Sequence, residues 1–529
     1  YEEEGVAFFR RLNGMFALAI WDGREPPGKL ILARDPLGQK PLHFALLPDG
    51  SLAFASELKG LLVHSGVNRQ VSPAALSRYL VYEYVPAPFT IVEGARKLLP
   101  AHYLIWSGDG GQVRTGRYWR MPFGIKDGKE HSDERVVLHF SSLLHRVVER
   151  HLMSDVPLGV FLSGGLDSSS IVATMAQIMD PREILTFTIS FDDRSFDESE
   201  HAARVARHFA TRHHCEVLRP EDALQLIPDI ADWLDEPFGD ASLVPTYLLS
   251  RSTRQHVTVA LGGDGADELL GGYPTFVADQ AARLFEQLPR GARNLVGDAV
   301  SVLPVSMGSF SFDFKARSFL KGIPFHGLTR HQVWLGSFTP EGLRRVLSPQ
   351  LVPLLDTDDP YLDVERKLAD LKLGDTLDQL IAFYTRFYLP DDILTKTDRA
   401  SMACSLEVRS PFLDPELVEY TTQLPDSWKV RLNETKRVLR RSMRGLLPDS
   451  TLSRPKKGFG MPVARWLRRD LRQLMERLLE PHRLEREGYF SGREVQRLVR
   501  EHLAGRTDHR KPLWTLMVFQ LWLERYGPR

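Results

Sequence analysis

Cysteine is nearly missing from this sequence: Cys215 and Cys404 are the only two among 529 residues. Two thiols so far apart give neither a disulfide framework nor the paired spacing of a zinc site, and they suit a reducing, cytoplasmic setting. Also missing is any run of the roughly 18 apolar residues needed to cross a bilayer, and no signal-peptide pattern is visible, so no membrane partner is expected. Net charge is missing too. The 68 basic residues balance 68 acidic ones, which argues against a chain that works by neutralising nucleic-acid phosphates. There is no Walker loop, because no Gly-Lys-Ser/Thr follows a glycine at the required spacing. What remains is the composition of a folded chain, 43% hydrophobic and 26% charged, with a length that suggests roughly three or four domain-sized units. The first residue is Tyr1, within an acidic Tyr-Glu-Glu-Glu, and the chain is expected to be the later part of a longer protein.

Residues 1 to about 120 read as mainly β. Met15–Trp21 is a short apolar run stopped by Asp22-Gly23; 29–33 and 42–47 repeat the design, the latter closed by Pro48-Asp49-Gly50. A polar stretch around 121–133 reads as a linker. From 134 onward the texture changes. An amphipathic helix is expected near 134–153, with strands at 158–162, 184–191 and 256–261 and helical patterns between them. That alternation predicts a doubly wound parallel sheet, with ligands beyond the carboxyl ends of its strands. From about 275 the pattern is mostly helical, with loops near 300–312 and 451–462.

The stretch Phe-Leu-Ser-Gly-Gly-Leu-Asp-Ser-Ser-Ser, 161–170, sits between the first of those strands and a helix. Helix N-termini carry unpaired N–H groups and partial positive charge, so this turn suits an anion. Backbone N–H groups around Gly164 and Gly165 form a nest for phosphate oxygens, and the hydroxyls of Ser163, Ser168 and Ser169 add donors. Asp167 would repel a phosphate unless a cation lay between them, which suggests a magnesium ligand. The alternative is that Ser163 or Asp167 simply caps the helix.

A second such turn follows the strand at 256–261: Gly262-Gly263-Asp264-Gly265-Ala266-Asp267-Glu268. Three carboxylates in five residues repel one another unless a cation or basic ligand is present; the alternative is an acidic helix N-terminus favoured by the dipole. Two further segments carry charge. Arg454-Pro455-Lys456-Lys457-Gly458-Phe459-Gly460 is either a solvated basic loop or a held lysine able to meet charge on a reacting phosphate. The alternating charges of Lys396–Arg399 and Glu407–Arg409 read mostly as a surface network.

Together SGGLDSS, GGDGADELLGGY, KTDRASMACSLEVRSPFLD and RPKKGFG, in this order, resemble the glutamine-dependent asparagine synthetase family. The earlier segments LNGMFALAIWD, ARDPLGQKPLHF, FASELKGLL and YVPAPFTIVEGARKLLPAHY are similar to the later part of its amide-hydrolysing domain. The resemblance implies two domains: a partial α-β-β-α glutaminase at 1–120, then, after a linker at 121–133, an ATP pyrophosphatase-type synthetase domain at 134–529 with a mainly helical C-terminal region. It implies a carbon–nitrogen ligase that amidates aspartate through β-aspartyl-AMP, with ATP and Mg2+ as cofactors and aspartate, ATP and ammonia or glutamine as its partners. No nucleic acid is expected, and a homodimer is compatible with the reading. By position, Leu162, Ile189, Gly262 and Gly263 would line the adenylate, Asp167 and Asp267 would hold magnesium, and Lys456 would meet the reacting phosphate. Glu268 and Arg399 would contact the substrate amino acid.

Two departures stand out. Asp264 occupies a position where several members carry Glu, at a place tied to forming and consuming the acyl-adenylate. The family's glutaminase nucleophile is an N-terminal Cys, and this sequence has none before Cys215, so the chain as written is expected to depend on free ammonia. The alternative reading keeps the adenylation and changes the carboxylate: a related amidotransferase or a ring-closing synthetase for a secondary metabolite or surface polymer.

Overall fold

The computed structural model describes residues 1–108, 112–124, 132–191, 193, 195–306, 308, 311–371, 373, 376–456, 458 and 460–528. In the first part of the chain, β1 (Ala17–Asp22), β2 (Lys29–Arg34), β3 (His43–Leu46), β4 (Leu52–Ala55), β5 (Arg96–Lys97), β6 (His102–Ser107) and β7 (Val113–Arg117) form two antiparallel sheets, ordered β1-β2-β6-β7 and β4-β3-β5. The period-2 side-chain alternation of β2 shows how they stack. Leu32 points to a cluster with Leu42, Leu98 and Leu104, joined by Phe44 of the other sheet. Ile31 and Ala33 point the opposite way, under Phe9 of the short helix Gly5–Arg11. The two turn signals hold, since β1 ends at Asp22 and the Pro48-Asp49-Gly50 turn joins β3 to β4.

The second part is built on β8 (Leu158–Phe161), β9 (Leu185–Phe191), β10 (Arg212–Leu218), β11 (Val259–Leu261) and β12 (Glu407–Arg409). They form one parallel sheet in the order β10-β9-β8-β11-β12. Helices Leu166–Ile178, Ser199–Phe209 and Leu243–Arg254 lie in the crossovers, and a long amphipathic helix, Asp133–His151, precedes β8. Strand order reverses between β8 and β11, the switch point at which open α/β sheets bind ligands. Pairing Val160 with Leu261 puts the ends of these two strands side by side.

Three strand expectations need correction. The strand at 256–261 begins only at Val259, because Val257 N–H still closes the last turn of the preceding helix on Thr253 O (3.1 Å). β10 and β12 were not foreseen. β10 is a half-exposed edge strand rich in polar residues, and β12 has only three residues. After β11 the chain is mainly helical to Tyr526, and helix ends flank the expected loops near 300–312 and 451–462. Among the described residues, no helix is long and apolar enough to cross a membrane.

The seam between the two parts is charged and packed. Arg78 pairs with Asp358 and Asp363, Lys97 with Glu236, and Lys40 with Asp398, while Tyr79 donates to Thr515 O. The charges of Lys396–Arg399, expected mostly at the surface, belong to this buried region instead. Arg399 is 6% exposed, and its guanidinium contacts Glu57 (2.9 Å) and Asp235 (3.3 Å).

Candidate functional site

Each strand end at the switch point turns on glycine. Beyond β8, Leu162 N–H still donates to Phe187 O of β9 (2.8 Å), so Ser163 is the first residue clear of the sheet. Gly164 then adopts φ +68°, and a Cβ there would lie 2.4 Å from the carbonyl carbon of His201. Both the backbone conformation and the space therefore require glycine. Gly165 opens the helix Leu166–Ile178 with no side-chain cap. The serines bond within the turn instead: Ser163 Oγ accepts from Gly165 N–H (3.3 Å), and the Ser163 and Ser168 hydroxyls lie 3.2 Å apart. Asp167 does not cap either. The capping alternative thus fails, and an uncapped helix N-terminus is a ready anion site. Ser169 Oγ is buried there without a hydrogen-bond partner.

The second turn leaves β11, with Gly262 N–H donating to Arg409 O of β12 (2.8 Å). Its three carboxylates have three different environments. Asp264 Oδ2 accepts from Thr397 Oγ1 (3.0 Å), and burial raises its pKa while Lys396 and Thr397 oppose the rise. Asp267 is held well below the usual carboxylate range: burial works upward, but Lys436 and Lys456 more than offset it. Glu268 is 1% exposed and bonded to the Tyr273 hydroxyl. Burial first, and the charge of Asp267 second, push its pKa up to about 7.

The two turns converge on lysines. Lys436 Nζ lies 2.6 Å from both oxygens of Asp167 and 2.6 Å from Asp267 Oδ1. That Asp267 oxygen nevertheless has no hydrogen bond, since the ion contact is poorly aligned for one. Lys456 Nζ takes the other oxygen, Asp267 Oδ2, at 2.6 Å. Desolvation lowers the Lys456 pKa, but Asp267 and Asp167 raise it by more, and the net shift is upward. Arg454, from the same basic loop, donates to Ser163 O (3.2 Å) and pairs with Glu198.

This arrangement suits magnesium. Two hard carboxylates reach one cation, and the buried Asp267 Oδ1 meets that cation at 2.6 Å without an aligned hydrogen bond. Among the described residues no group of three His, Cys, Asp or Glu side chains forms an all-protein cage. Magnesium is usually held in this way, by one or two carboxylates with substrate phosphates completing the shell.

The structure places Leu162, Ser163, Gly164, Gly165, Asp167 and Ser168 on the first turn, and Gly262, Gly263, Asp264, Asp267 and Glu268 on the second. Ile189 is buried in β9, two residues past the carbonyl that binds Leu162. Arg399 is not brought to these carboxylates, because its guanidinium is engaged at the seam. One oxygen of Glu268, Oε1, accepts from the Tyr273 hydroxyl. Sequence reasoning missed Lys436, Thr397 and the hold of Arg454 on the first turn.

The state of Glu268 gives a stability prediction. A carboxyl whose folded pKa is raised favours the fold while protonated and costs stability as pH rises through about 7. Glu268→Gln is therefore expected to be nearly neutral near pH 5 and stabilising at pH 8, by up to about 3 kcal/mol. Denaturant midpoints of both proteins at the two pH values test this, and an identical difference at each would refute it.

A doubly wound α/β sheet with two glycine–aspartate turns at its switch point, joined to a pair of stacked antiparallel sheets, defines a two-part α/β protein with a ligand crevice at the strand ends. Sequence comparison agrees. The asparagine synthase family matches residues 139–524, and the glutamine amidotransferase domain matches residues 1–119. A Mycobacterium tuberculosis H37Rv protein provisionally named glutamine-hydrolysing asparagine synthetase is 34% identical over 99% of this chain and 78% of its own length. Glutamine-hydrolysing asparagine synthetase 1 of Bacillus subtilis strain 168 is 30% identical over the same shares. A provisionally named glutamine-hydrolysing asparagine synthetase 2 of Methanocaldococcus jannaschii is 32% identical over 76% of this chain and 75% of its own. The chain belongs to the asparagine synthase family.

Proposed function

We propose that this chain amidates aspartate with ATP: the side-chain carboxylate attacks the α-phosphate to give β-aspartyl-AMP and pyrophosphate, and ammonia then attacks the acyl carbon and displaces AMP. The observation that carries the reading is the convergence of Asp167 and Asp267 on one cation at the switch point, beside an uncapped helix N-terminus. The N–H groups and hydroxyls of 163–168 hold the pyrophosphate leaving group. Leu162, Ile189, Gly262 and Gly263 line the adenylate. Asp167 and Asp267 hold Mg2+, which when bound neutralises phosphate charge against the two carboxylates. Lys456 donates to the α-phosphate, where charge builds as the aspartate carboxylate attacks. Asp264, fixed by Thr397, serves the steps that form and consume the acyl-adenylate.

Residues 1–120 are assigned to the C-terminal part of a glutaminase domain and 134–529 to the synthetase domain. Of the linker between them, 121–133, residues 125–131 lie outside the described residues. Free thiols at Cys215 and Cys404 support a cytoplasmic location.

The test supplies ATP, Mg2+, aspartate and ammonium. Asparagine, AMP and pyrophosphate in equal amounts are expected. ADP and phosphate as products would overturn the adenylating chemistry, and pyrophosphate exchange without asparagine would make the acceptor a different carboxylate.

A further inference from the structure

Lys436 is not a surface lysine that happens to reach a carboxylate. It follows a tight hairpin, Val430–Arg431 paired with Glu434–Thr435, and takes a left-handed conformation at φ +51° before the helix Arg437–Ser442. Its N–H donates to Leu270 O (3.2 Å), beside the second turn, and its carbonyl accepts from Arg440 N–H (2.9 Å). Its side chain is 4% exposed. It threads past Gly272, where a Cβ would lie 1.9 Å from Lys436 Cε and 2.1 Å from Asp267 Oδ1. Backbone, neighbours and a missing side chain thus all direct one ammonium to one point.

That point is the one the two carboxylates share. Asp167 and Asp267 are both nearly buried, and without a cation between them the two like charges would repel each other at close range. With Lys436 and Lys456 in place, two positive charges balance two negative ones. Magnesium oxygens stand at about 2.0–2.1 Å, against the 2.6 Å contacts that Lys436 makes now. One point between two carboxylates cannot hold an ammonium and a metal together.

We propose that Lys436 is a resident counter-cation that occupies the metal position of the nucleotide-free chain, so that a divalent ion enters only with the nucleotide and displaces it. The inference rests on the reading of Asp167 and Asp267 as the metal carboxylates. Its consequence is an order of binding. The free chain does not charge its carboxylates with metal in advance, and the phosphates bring the ion with them.

The experiment uses the full chain, wild type and Lys436→Met, with Mn2+ as the probe. Bound Mn2+ is counted by electron paramagnetic resonance, and thermal midpoints are read in EDTA and in Mn2+. Without nucleotide the wild type is expected to bind Mn2+ at least tenfold more weakly than Lys436→Met. Lys436→Met is expected to melt lower than wild type in EDTA and to recover in Mn2+, whereas the wild-type midpoint stays unmoved. With a non-hydrolysable ATP analogue present, both should bind Mn2+, and Asp167→Asn should not. Tight Mn2+ binding by nucleotide-free wild type overturns the inference without recourse to any variant, as does a Lys436→Met protein that Mn2+ fails to restabilise. In either case, loss of analogue-dependent Mn2+ binding in Asp167→Asn would leave the metal reading standing. Unchanged analogue-dependent binding in Asp167→Asn overturns both.

Discussion

Asp167→Asn is expected to abolish ATP–pyrophosphate exchange. The substitution keeps the shape of the side chain and removes its charge, and with it the hard anionic ligand proposed above for magnesium. It acts at a position with no substitute: Asp167 is the one carboxylate of the first turn, and both of its oxygens already face a cation at 2.6 Å. Asp264 and Glu268 lie on the other turn, where Asp264 accepts from Thr397 and Glu268 from Tyr273. The measurement is incorporation of labelled pyrophosphate into ATP at ordinary magnesium, with a thermal midpoint confirming that the variant is folded. Exchange near the wild-type rate would remove Asp167 from the metal site.

Lys456→Ala is expected to slow adenylate formation by about a hundred- to a thousandfold, the usual loss for one preorganised donor to a developing charge. Affinity for ATP should change far less, because an interaction made chiefly in the transition state lowers the rate of the chemical step rather than ground-state binding. The structure makes this separation feasible. Asp267 keeps Lys436 as a partner when Lys456 is lost, so the second turn retains a countercharge. Lys456 is also the more accessible of the two, its side chain 36% exposed against 4% for Lys436. Single-turnover rates and nucleotide titration on the same variant decide the matter. A fall in ATP affinity with an unchanged rate would make Lys456 a ground-state contact.

Much of the second half of the chain was legible because its signals are local. An apolar run, a Gly-Gly turn, an acidic residue and a breaker-free helix lie consecutively in 158–178, and the structure keeps that order to within a residue. β10 escaped because His213, His214, Cys215 and Glu216 on an exposed edge show no apolar alternation. The surface reading of Lys396–Arg399 failed for a different reason. Charges in alternation look alike whether they meet water or, as with Lys40, Glu57, Asp235 and Asp240, partners from other elements. Lys436 was beyond reach altogether. Its anionic partner Asp167 is 269 residues away, and Asn433-Glu434-Thr435-Lys436-Arg437 reads as an ordinary polar turn. A cation supplied across such a distance leaves no trace in the spacing of its own neighbours.

The position of β11 bears on how this protein acquires its site. A three-residue strand joins β8, about a hundred positions earlier, to β12, about a hundred and fifty positions later, through Val160, Leu261 and Arg409. Pairings of that separation carry heavy loop-closure entropy and are slow to form. No early, locally folded fragment can therefore present both carboxylate turns at once. The glycine turn after β8 can form with its own helix, but it gains its acidic counterpart only when the middle strand slots in. Lys436 can take its place only after that. Competence to bind nucleotide is thus a property of the finished sheet, and nucleotide, by binding only the completed form, draws the folding equilibrium towards it.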